Sequence, residues 1–202
     1  NSGTITGDVS LRDGDDRFVF KGGEITGVVD GGKGDDRFVI RAEGVTLSEA
    51  VDQGFDFVKT SVSFTLPANF EQLNLIGKAD IDGTGNGGDN HLQGNAGRNV
   101  LRGEGGVDFL LGMAGNDKLF GGAGGDVFNF QKGSGKDVVM DFEAGIDEIQ
   151  VGGLKGASDF DDMLANHVTE KGADIWITYG KDVVVLKKTE LADLHMDDFV
   201  FG

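Results

Sequence analysis

Residues 85–129 read GNGGDNHLQ, GNAGRNVLR, GEGGVDFLL, GMAGNDKLF and GGAGGDVFN, which are five consecutive nonapeptides. Glycine occupies the first and the fourth position of every nonapeptide, and the eighth position is always a large apolar residue. The sixth position is held by Asn90, Asn99, Asp108, Asp117 and Asp126. Because these positions recur in one register, the stretch predicts a repeated structural unit and not a flexible glycine-rich linker.

Each nonapeptide divides into a turn and a short strand. Six glycine-rich residues form a tight turn, because glycine accepts positive φ values at low steric cost. The other three residues form a strand whose apolar residue points inward. Two nonapeptides, or 18 residues, then complete one coil, and two parallel sheets enclose a ladder of leucine and phenylalanine. Sixth-position residues two repeats apart lie on adjacent coils, as in the pairs Asn90/Asp108, Asn99/Asp117 and Asp108/Asp126.

The stacked carboxylates predict a cation between adjacent coils, since like charges repel at short range. Calcium fits because it takes six to eight oxygen ligands at about 2.3–2.6 Å in flexible geometry, whereas magnesium demands a tighter octahedron. Zinc prefers nitrogen and sulfur ligands, which these turns lack. We expect aspartate ligands at the sixth positions, with weaker sites at Asn90 and Asn99. Turn carbonyls are expected at Gly103, Gly106, Gly112, Gly115, Gly121 and Gly124.

The pattern G-G-x-G-x-D-x-U-x, with U apolar, resembles the RTX repeat, the hemolysin-type calcium-binding nonapeptide. The nonapeptide from Gly121 matches in full, whereas Glu104 and Met113 stand at a second position where glycine is ideal. The resemblance implies an all-β fold, a right-handed parallel β-roll or β-helix solenoid that binds several calcium ions. Similar rolls occur in serralysin-type exoproteins and in the R-modules of mannuronan C-5-epimerases.

A second repeat fills residues 1–40. NSGTITGDVSLRDGDDRFVF aligns without gaps on KGGEITGVVDGGKGDDRFVI, with 11 of 20 positions identical. This predicts two coils of a parallel β-helix with Asp16 and Asp36 on adjacent coils. Together with Gly31 and Gly34 of the nonapeptide GGKGDDRFV, these residues form a further candidate calcium site. The alternative is that the Asp-Asp-Arg triplets make only surface ion pairs.

Residues 41–84 are expected to continue the solenoid between the two repeat blocks. Helical character is predicted around residues 48–51, and alternating apolar residues from Val58 onward predict strands. Asp52 and Asp56 fit a degenerate repeat turn around Gly54, although a role as surface residues explains them equally well.

Residues 85–130 are thus the predicted roll, and 131–202 are expected to cap it, since an open solenoid end exposes strand edges and core. The segment after Phe130 resembles the one that closes β-rolls in serralysin-type proteases. Asp137, Asp141 and Asp147 there are candidate calcium ligands or solvated turn residues. Ser158 is the predicted N-cap of a short helix, and two strands joined by residues 180–182 follow it.

The chain ends LHMDDFVFG, and Asn1 does not open a signal peptide. An acidic pair followed by large apolar residues resembles the C-terminal signal of type I secretion, and a last strand of the cap accounts for the same residues. Because the sequence lacks an initiator methionine, we expect a fragment of a larger secreted, extracellular protein.

Charge and motifs exclude several functions. The chain has 18 Lys+Arg against 35 Asp+Glu, a net charge of −17, so neither nucleic acid nor membrane insertion is expected. It contains no HExxH or GxSxG motif, which predicts a non-catalytic module, an accessory fragment of an exoprotein. The partners expected are calcium and the type I secretion machinery. The alternative is a calcium-dependent module binding acidic polysaccharide or cell surfaces through Arg98, Arg102 and Lys118.

Overall fold

The computed structural model describes residues 3–152 and 160–201. Within these residues the protein is a solenoid of short, mostly parallel strands, which confirms the predicted fold class. Its 22 described strands form four sheets, of which the two largest have nine and eight strands. None of the described helices is long and apolar enough to cross a membrane.

The strands follow one another with short turns between them. Their bounds are β1 (Thr4–Ile5), β2 (Val9–Ser10), β3 (Arg17–Phe20), β4 (Glu24–Ile25), β5 (Val28–Asp30), β6 (Arg37–Ile40), β7 (Thr46–Ser48), β8 (Phe57–Thr60), β9 (Phe64–Thr65), β10 (Gln72–Leu75), β11 (Gly83–Thr84), β12 (His91–Gln93), β13 (Val100–Gly105), β14 (Phe109–Leu111), β15 (Lys118–Ala123), β16 (Val127–Phe130), β17 (Lys136–Val139), β18 (Glu148–Val151), β19 (Val168–Lys171), β20 (Asp174–Tyr179), β21 (Asp182–Lys187) and β22 (Phe199–Phe201). The helix α1 spans Phe160–His167, and single 3₁₀ turns cover Leu191–Asp193 and Met196–Asp198.

The first coils are three-sided. Strand β1 pairs with β4, β2 with β5 and β3 with β6, each in a different sheet. All three pairs join residues that lie 20 positions apart, for example Arg17 with Arg37. Each 20-residue unit therefore corresponds to one coil of the solenoid.

Two sheets enclose the roll. The nine-stranded sheet runs in the order β22-β18-β16-β14-β12-β10-β8-β6-β3, and the eight-stranded sheet runs β19-β20-β21-β17-β15-β13-β11-β9. Within the nonapeptides the pairing joins residues 18 apart, such as Leu92 with Leu110 and Leu101 with Leu119. The eighth-position residues Leu92, Leu101, Leu110, Leu119 and Phe128 are all fully buried between the sheets. Burying each such side chain stabilises the fold by about 1.5–3 kcal/mol.

The C-terminal segment closes one end of the solenoid. Strand β21 adds in parallel to β17, and β20 and β19 follow it antiparallel, which gives the predicted hairpin. Strand β22 pairs in parallel with β18, so the tail segment Phe199–Phe201 is the edge strand of the nine-stranded sheet. The predicted helix N-cap, Ser158, lies outside the described residues.

One local prediction is wrong. Residues 48–51 are not helical: β7 ends at Ser48, and a turn follows from Val51. Strand β7 pairs in parallel with β5, and Leu47 is buried in the core. Tertiary pairing with the preceding coil thus outweighs the local helical preference of this short segment.

Candidate metal centres

The sixth-position side chains form two columns, one at each edge of the solenoid. The first column stands at the turns that enter the nine-stranded sheet and contains Asn90, Asp108 and Asp126. The second column stands at the turns that enter the eight-stranded sheet and contains Asn99 and Asp117. Each coil of 18 residues contains two turns, one at each edge. Sixth-position residues 18 apart therefore stack at the same edge, and those nine apart lie at opposite edges.

Within each column, one carboxylate oxygen joins adjacent coils. Asp108 Oδ1 accepts the backbone N–H of Asn90 at 2.8 Å, and Asp126 Oδ1 accepts that of Asp108 at 2.9 Å. At the other edge, Asp117 Oδ1 accepts the N–H of Asn99 at 2.8 Å. These bonds fix the register between coils and orient each carboxylate.

The second carboxylate oxygen has no hydrogen-bond partner. Oδ2 of Asp108, Asp117 and Asp126 is buried and unpaired, and none of these side chains is more than 1% exposed. A buried, unpaired carboxylate is costly unless it is protonated or binds a cation. The fold therefore buries these oxygens in a position where a bound cation would neutralise their charge.

First-position glycines make room for these oxygens. A Cβ added at Gly103 would collide with Asp108 Oδ2 and with the carbonyl oxygen of Gly121. The first-position Gly112 and Gly121 stand in the same relation to Asp117 Oδ2 and Asp126 Oδ2. Each carboxylate oxygen is thus directed into its own glycine turn, and at Gly103 the carbonyl oxygen of Gly121 lies close by.

Three of the five fourth-position glycines adopt a backbone that other residues disfavour. Gly106, Gly115 and Gly124 have φ values of 101°, 155° and 138°. At the second position, Gly122 has a φ of 105°, whereas Glu104 and Met113 are forced to 82° and 70°. Non-glycine residues with such values carry local strain, so the two departures from the repeat are unfavourable, as their residue types suggested.

Asn90 and Asn99 behave differently from the aspartates. Asn99 Nδ2 donates to the carbonyl of Ile81 at 2.6 Å, and Asn99 Oδ1 accepts the N–H of Asn95 at 2.8 Å. Asn90 repeats this arrangement with the carbonyl of Phe70 and the N–H of Asn86. The oxygen and the nitrogen of each amide are hydrogen-bonded within the protein. These two side chains therefore have partners without a metal ion.

The C-terminal candidates also differ from one another. Asp137 continues the second column: its Oδ1 accepts the N–H of Asp117 at 2.9 Å, and its buried Oδ2 is unpaired. Asp147 continues the first column, but its two oxygens accept the N–H groups of Asp126 and Glu143. Asp141 is only half-buried and accepts the N–H of Gly121 at 3.0 Å. Asp137 alone among the three therefore shares the pattern of Asp108.

The N-terminal candidates are joined by two carboxylates that the repeat pattern did not single out as ligands. Asp16 donates its backbone N–H to Asp36 Oδ1 at 2.7 Å, while Asp36 Oδ2 is buried and unpaired. Gly31 stands against that oxygen, and Gly34, with a φ of 122°, stacks on Gly14. Ligand oxygens of Asp36, Glu49 and Asp56 all lie within 4.8 Å of one another, and Asp16 is not part of this group.

The electrostatics agree that these carboxylates need either protons or a cation. Burial raises the pKa of Asp108 to about 7, and repulsion from Asp126 adds to the effect. Burial also raises the pKa of Asp117 to about 6 and that of Asp137 to about 7. Calcium suits these turns because the donors are oxygens and geometry is set by a flexible glycine backbone, whereas zinc favours nitrogen or sulfur.

The match to a family model agrees with this geometry, and two further comparisons show what the chain resembles. Residues 84–117 and 103–137 match the family model of the RTX calcium-binding nonapeptide repeat, so this part of the chain carries calcium-binding repeats. The chain is 41% identical over 153 residues to the endo-1,3-1,4-beta-glycanase EglC of Rhizobium meliloti, an alignment that covers 75% of the chain and 30% of that protein. The extracellular lipase LipA of Serratia marcescens has a similar solved structure, with 16% identity, a TM-score of 0.48 and coverage of 89% of this chain and 40% of the lipase.

Proposed function

We propose that this chain is a non-catalytic module of a larger exoprotein, one that folds when it meets extracellular calcium after type I secretion and then stabilises its parent protein. The observation that carries the proposal is the set of buried, unpaired carboxylate oxygens on Asp108, Asp117, Asp126 and Asp137. Without a cation or protons these groups oppose folding, so the free-ion concentration controls whether the roll exists.

The energetics support control by calcium. Fixing the backbone of each residue in a glycine-rich segment costs about 1–2 kcal/mol of conformational entropy. Extracellular calcium modules bind with dissociation constants of about 10⁻⁴–10⁻³ M, so their sites fill in millimolar calcium and are empty at cytosolic concentrations. A site at tenfold its dissociation constant contributes about 1.4 kcal/mol, so a few sites together supply a large part of a domain's net stability.

Circular dichroism of the full chain during a calcium titration tests the proposal. We expect little regular structure in EGTA, a cooperative gain of β-structure with calcium and a much weaker response to magnesium. The triple variant Asp108→Asn, Asp117→Asn and Asp126→Asn is expected to need far more calcium. A wild-type chain that is equally folded in EGTA and in calcium would overturn the proposal.

A second candidate function is calcium-dependent glycan binding. The basic residues that the sequence suggested for this role do not form a free basic stripe, because Arg98 ion-pairs with Asp80 and Arg102 stacks on Phe120. The outer face of the nine-stranded sheet is better suited to glycan binding, since aromatic rings and side-chain amides lie next to one another on neighbouring strands. That face carries Phe57, Gln72, His91, Phe109, Asn74, Gln93, Asn129 and Gln150, together with the charged residues Arg37, Lys59 and Glu148.

This face fits a neutral polysaccharide better than an acidic one. Amides donate and accept hydrogen bonds, and aromatic rings offer apolar area, whereas the net charge of −17 repels polyanions. The name of the relative, an endo-1,3-1,4-beta-glycanase, adds support for a β-linked glycan, and we test a β-glucan as one such polymer. Affinity electrophoresis in calcium, with mixed-linkage β-glucan and alginate in parallel gels, tests this. Retardation by β-glucan that Phe109→Ala abolishes is expected, and no retardation by either polymer would contradict it.

A further inference from the structure

We propose that Asp36, Glu49 and Asp56 form a separate calcium site in the N-terminal coils, outside residues 84–137, where the family model of the repeat matches. The three side chains come from three different coil segments and meet at the turn that begins with Gly31. The site differs from those of the roll because it contains three carboxylates, one of them a glutamate that the nonapeptide pattern does not provide.

The three carboxylates converge on one place. Asp36, Glu49 and Asp56 are 1%, 8% and 0% exposed, and each has one buried oxygen without a hydrogen-bond partner. A Cβ added at Gly31 would collide with Asp36 Oδ2 and with Glu49 Oε2. Two of the unpaired oxygens therefore lie against the same glycine, and the ligand oxygens of all three residues lie within 4.8 Å of one another.

Strand register brings Glu49 into the turn. Strands β5 and β7 pair with Asp30 opposite Ser48, so Glu49 follows at the position that Gly31 occupies one coil earlier. Where a repeat turn would have its first glycine, this coil instead carries a carboxylate. Its Oε1 accepts the N–H groups of Gly32 at 3.2 Å and Ala50 at 3.3 Å, which orients Oε2.

The two aspartates are oriented in the same way. Asp36 Oδ1 accepts the N–H of Asp16 at 2.7 Å, and Asp56 Oδ1 accepts the N–H of Asp36 at 2.9 Å. Each of the three carboxylates thus uses one oxygen to bind the backbone and presents the other. This is a rigid arrangement, because main-chain donors and not mobile side chains hold the ligands.

No described basic side chain neutralises this group. The ion pairs within residues 3–152 and 160–201 are Lys33–Asp13, Arg98–Asp80 and Lys187–Asp174. A buried charge of about −3 is prohibitive, so the carboxylates must take up protons or bind a cation. Oxygen-only ligands select calcium over zinc, and calcium affinity rises with the number of charged ligands and with rigidity. This site therefore fills at lower free calcium than the two-aspartate turns of the roll.

Counting bound calcium on the full chain tests the proposal. Equilibrium dialysis over a series of free calcium concentrations, followed by atomic emission, gives ions per chain for the wild type, Glu49→Gln and Glu43→Gln. Glu43 is an exposed carboxylate of the same coil, so it is a matched control. We expect Glu49→Gln to require at least about tenfold more calcium for the first ion, a change that Glu43→Gln does not produce.

A further variant separates this site from the proposed function of the roll. The triple variant Asp108→Asn, Asp117→Asn and Asp126→Asn is expected to retain the first, tightest ion and to lose the weaker ones. If the proposed function of the roll is wrong, the triple variant keeps its weaker ions. If the Asp36, Glu49 and Asp56 site is wrong, Glu49→Gln keeps the first, tightest ion, so the two failures give different ion counts. A first ion that Glu49→Gln binds as tightly as the wild type overturns the proposal.

A crystallographic measurement decides the question even if Glu49→Gln fails to fold. Crystals of the wild-type chain grown in calcium are expected to show anomalous density about 2.3–2.6 Å from oxygens of Asp36, Glu49 and Asp56. Ordered side chains without such density would overturn the assignment.

Discussion

Asp126 accepts the backbone N–H of Asp108 through Oδ1 at 2.9 Å, while its Oδ2 is buried without a partner. One side chain therefore sets the register between two coils and also presents a charge that needs a cation. Asp108 stands in the same relation to Asn90 on the preceding coil. Because each candidate ligand is also a link between coils, we expect metal binding and coil stacking to be cooperative.

Replacing Asp126 by asparagine separates these two roles. In Asp126→Asn the amide oxygen still accepts the N–H of Asp108, but an NH₂ group takes the place of the unpaired oxygen. We expect the calcium concentration at the folding midpoint to rise about tenfold, equivalent to about 1.4 kcal/mol. Circular dichroism against free calcium measures the shift.

Asp82→Asn is the matched control for this variant. Asp82 is exposed, and its Oδ1 accepts the N–H of Val100 on the next coil at 2.9 Å. We expect the calcium concentration at the folding midpoint of this control variant to match that of the wild type. An equal shift in both variants would indicate a general charge effect and contradict a ligand role for Asp126.

Acidification should favour the calcium-free fold. Burial raises the folded-state pKa of Asp108 and Asp137 from the ordinary 3.8 to about 7. A carboxyl group whose pKa is higher in the folded state binds more protons there, so folding gains stability as the pH falls. That gain is complete below about pH 4, the unfolded pKa, and is lost as the pH rises through 7.

Circular dichroism of calcium-depleted protein in metal-free buffers between pH 8 and pH 5, a range of about three units around the raised pKa, checks this. We expect β-structure to increase toward pH 5, and the calcium midpoint to rise as protons compete for the same oxygens. The triple asparagine variant at positions 108, 117 and 126 should show a weaker pH response. An identical response would mean that general charge repulsion, and not these aspartates, causes the effect.

The strict period made the roll predictable from the sequence. An 18-residue repeat fixes both which residues stack and which face inward, so the stacking of Asp108 on Asp126 follows from counting. Glu49 could not be found in this way, because it reaches Gly31 through the register of β5 and β7, outside the nonapeptide phase. The amides of Asn90 and Asn99 bond to carbonyls of Phe70 and Ile81, which lie in a segment without repeats.

The first-position glycines should be irreplaceable for steric reasons. In Gly103→Ala the new methyl group would meet Asp108 Oδ2 and the carbonyl of Gly121. We expect a loss of roughly 1–3 kcal/mol in the free energy of unfolding in saturating calcium, measured by urea denaturation. Gly87→Ala is the control, since a methyl group there would have no neighbour within 4 Å. A comparable loss in Gly87→Ala would contradict the steric explanation.

Asn99 should stabilise the roll without binding calcium. Asn99→Ala removes the donor to the carbonyl of Ile81 and the acceptor for the N–H of Asn95. Because the side chain is 1% exposed, water cannot readily replace these bonds, and each unsatisfied buried group costs about 1–3 kcal/mol. We expect a lower free energy of unfolding in saturating calcium and an unchanged number of bound ions.

Two measurements on the same samples distinguish this role from that of a ligand. Urea denaturation reports stability, and equilibrium dialysis with atomic emission reports ions per chain. Asn116→Ala is a control, because Asn116 is exposed and its Oδ1 accepts the N–H of Lys136 from the surface. If Asn99→Ala lost an ion that Asn116→Ala retains, Asn99 would be a calcium ligand, and its turn would belong with those of Asp108 and Asp117. If only the free energy of unfolding falls, the turns that contain Asn90 and Asn99 are held by hydrogen bonds alone. The calcium-dependent coils then begin with the turns that follow them.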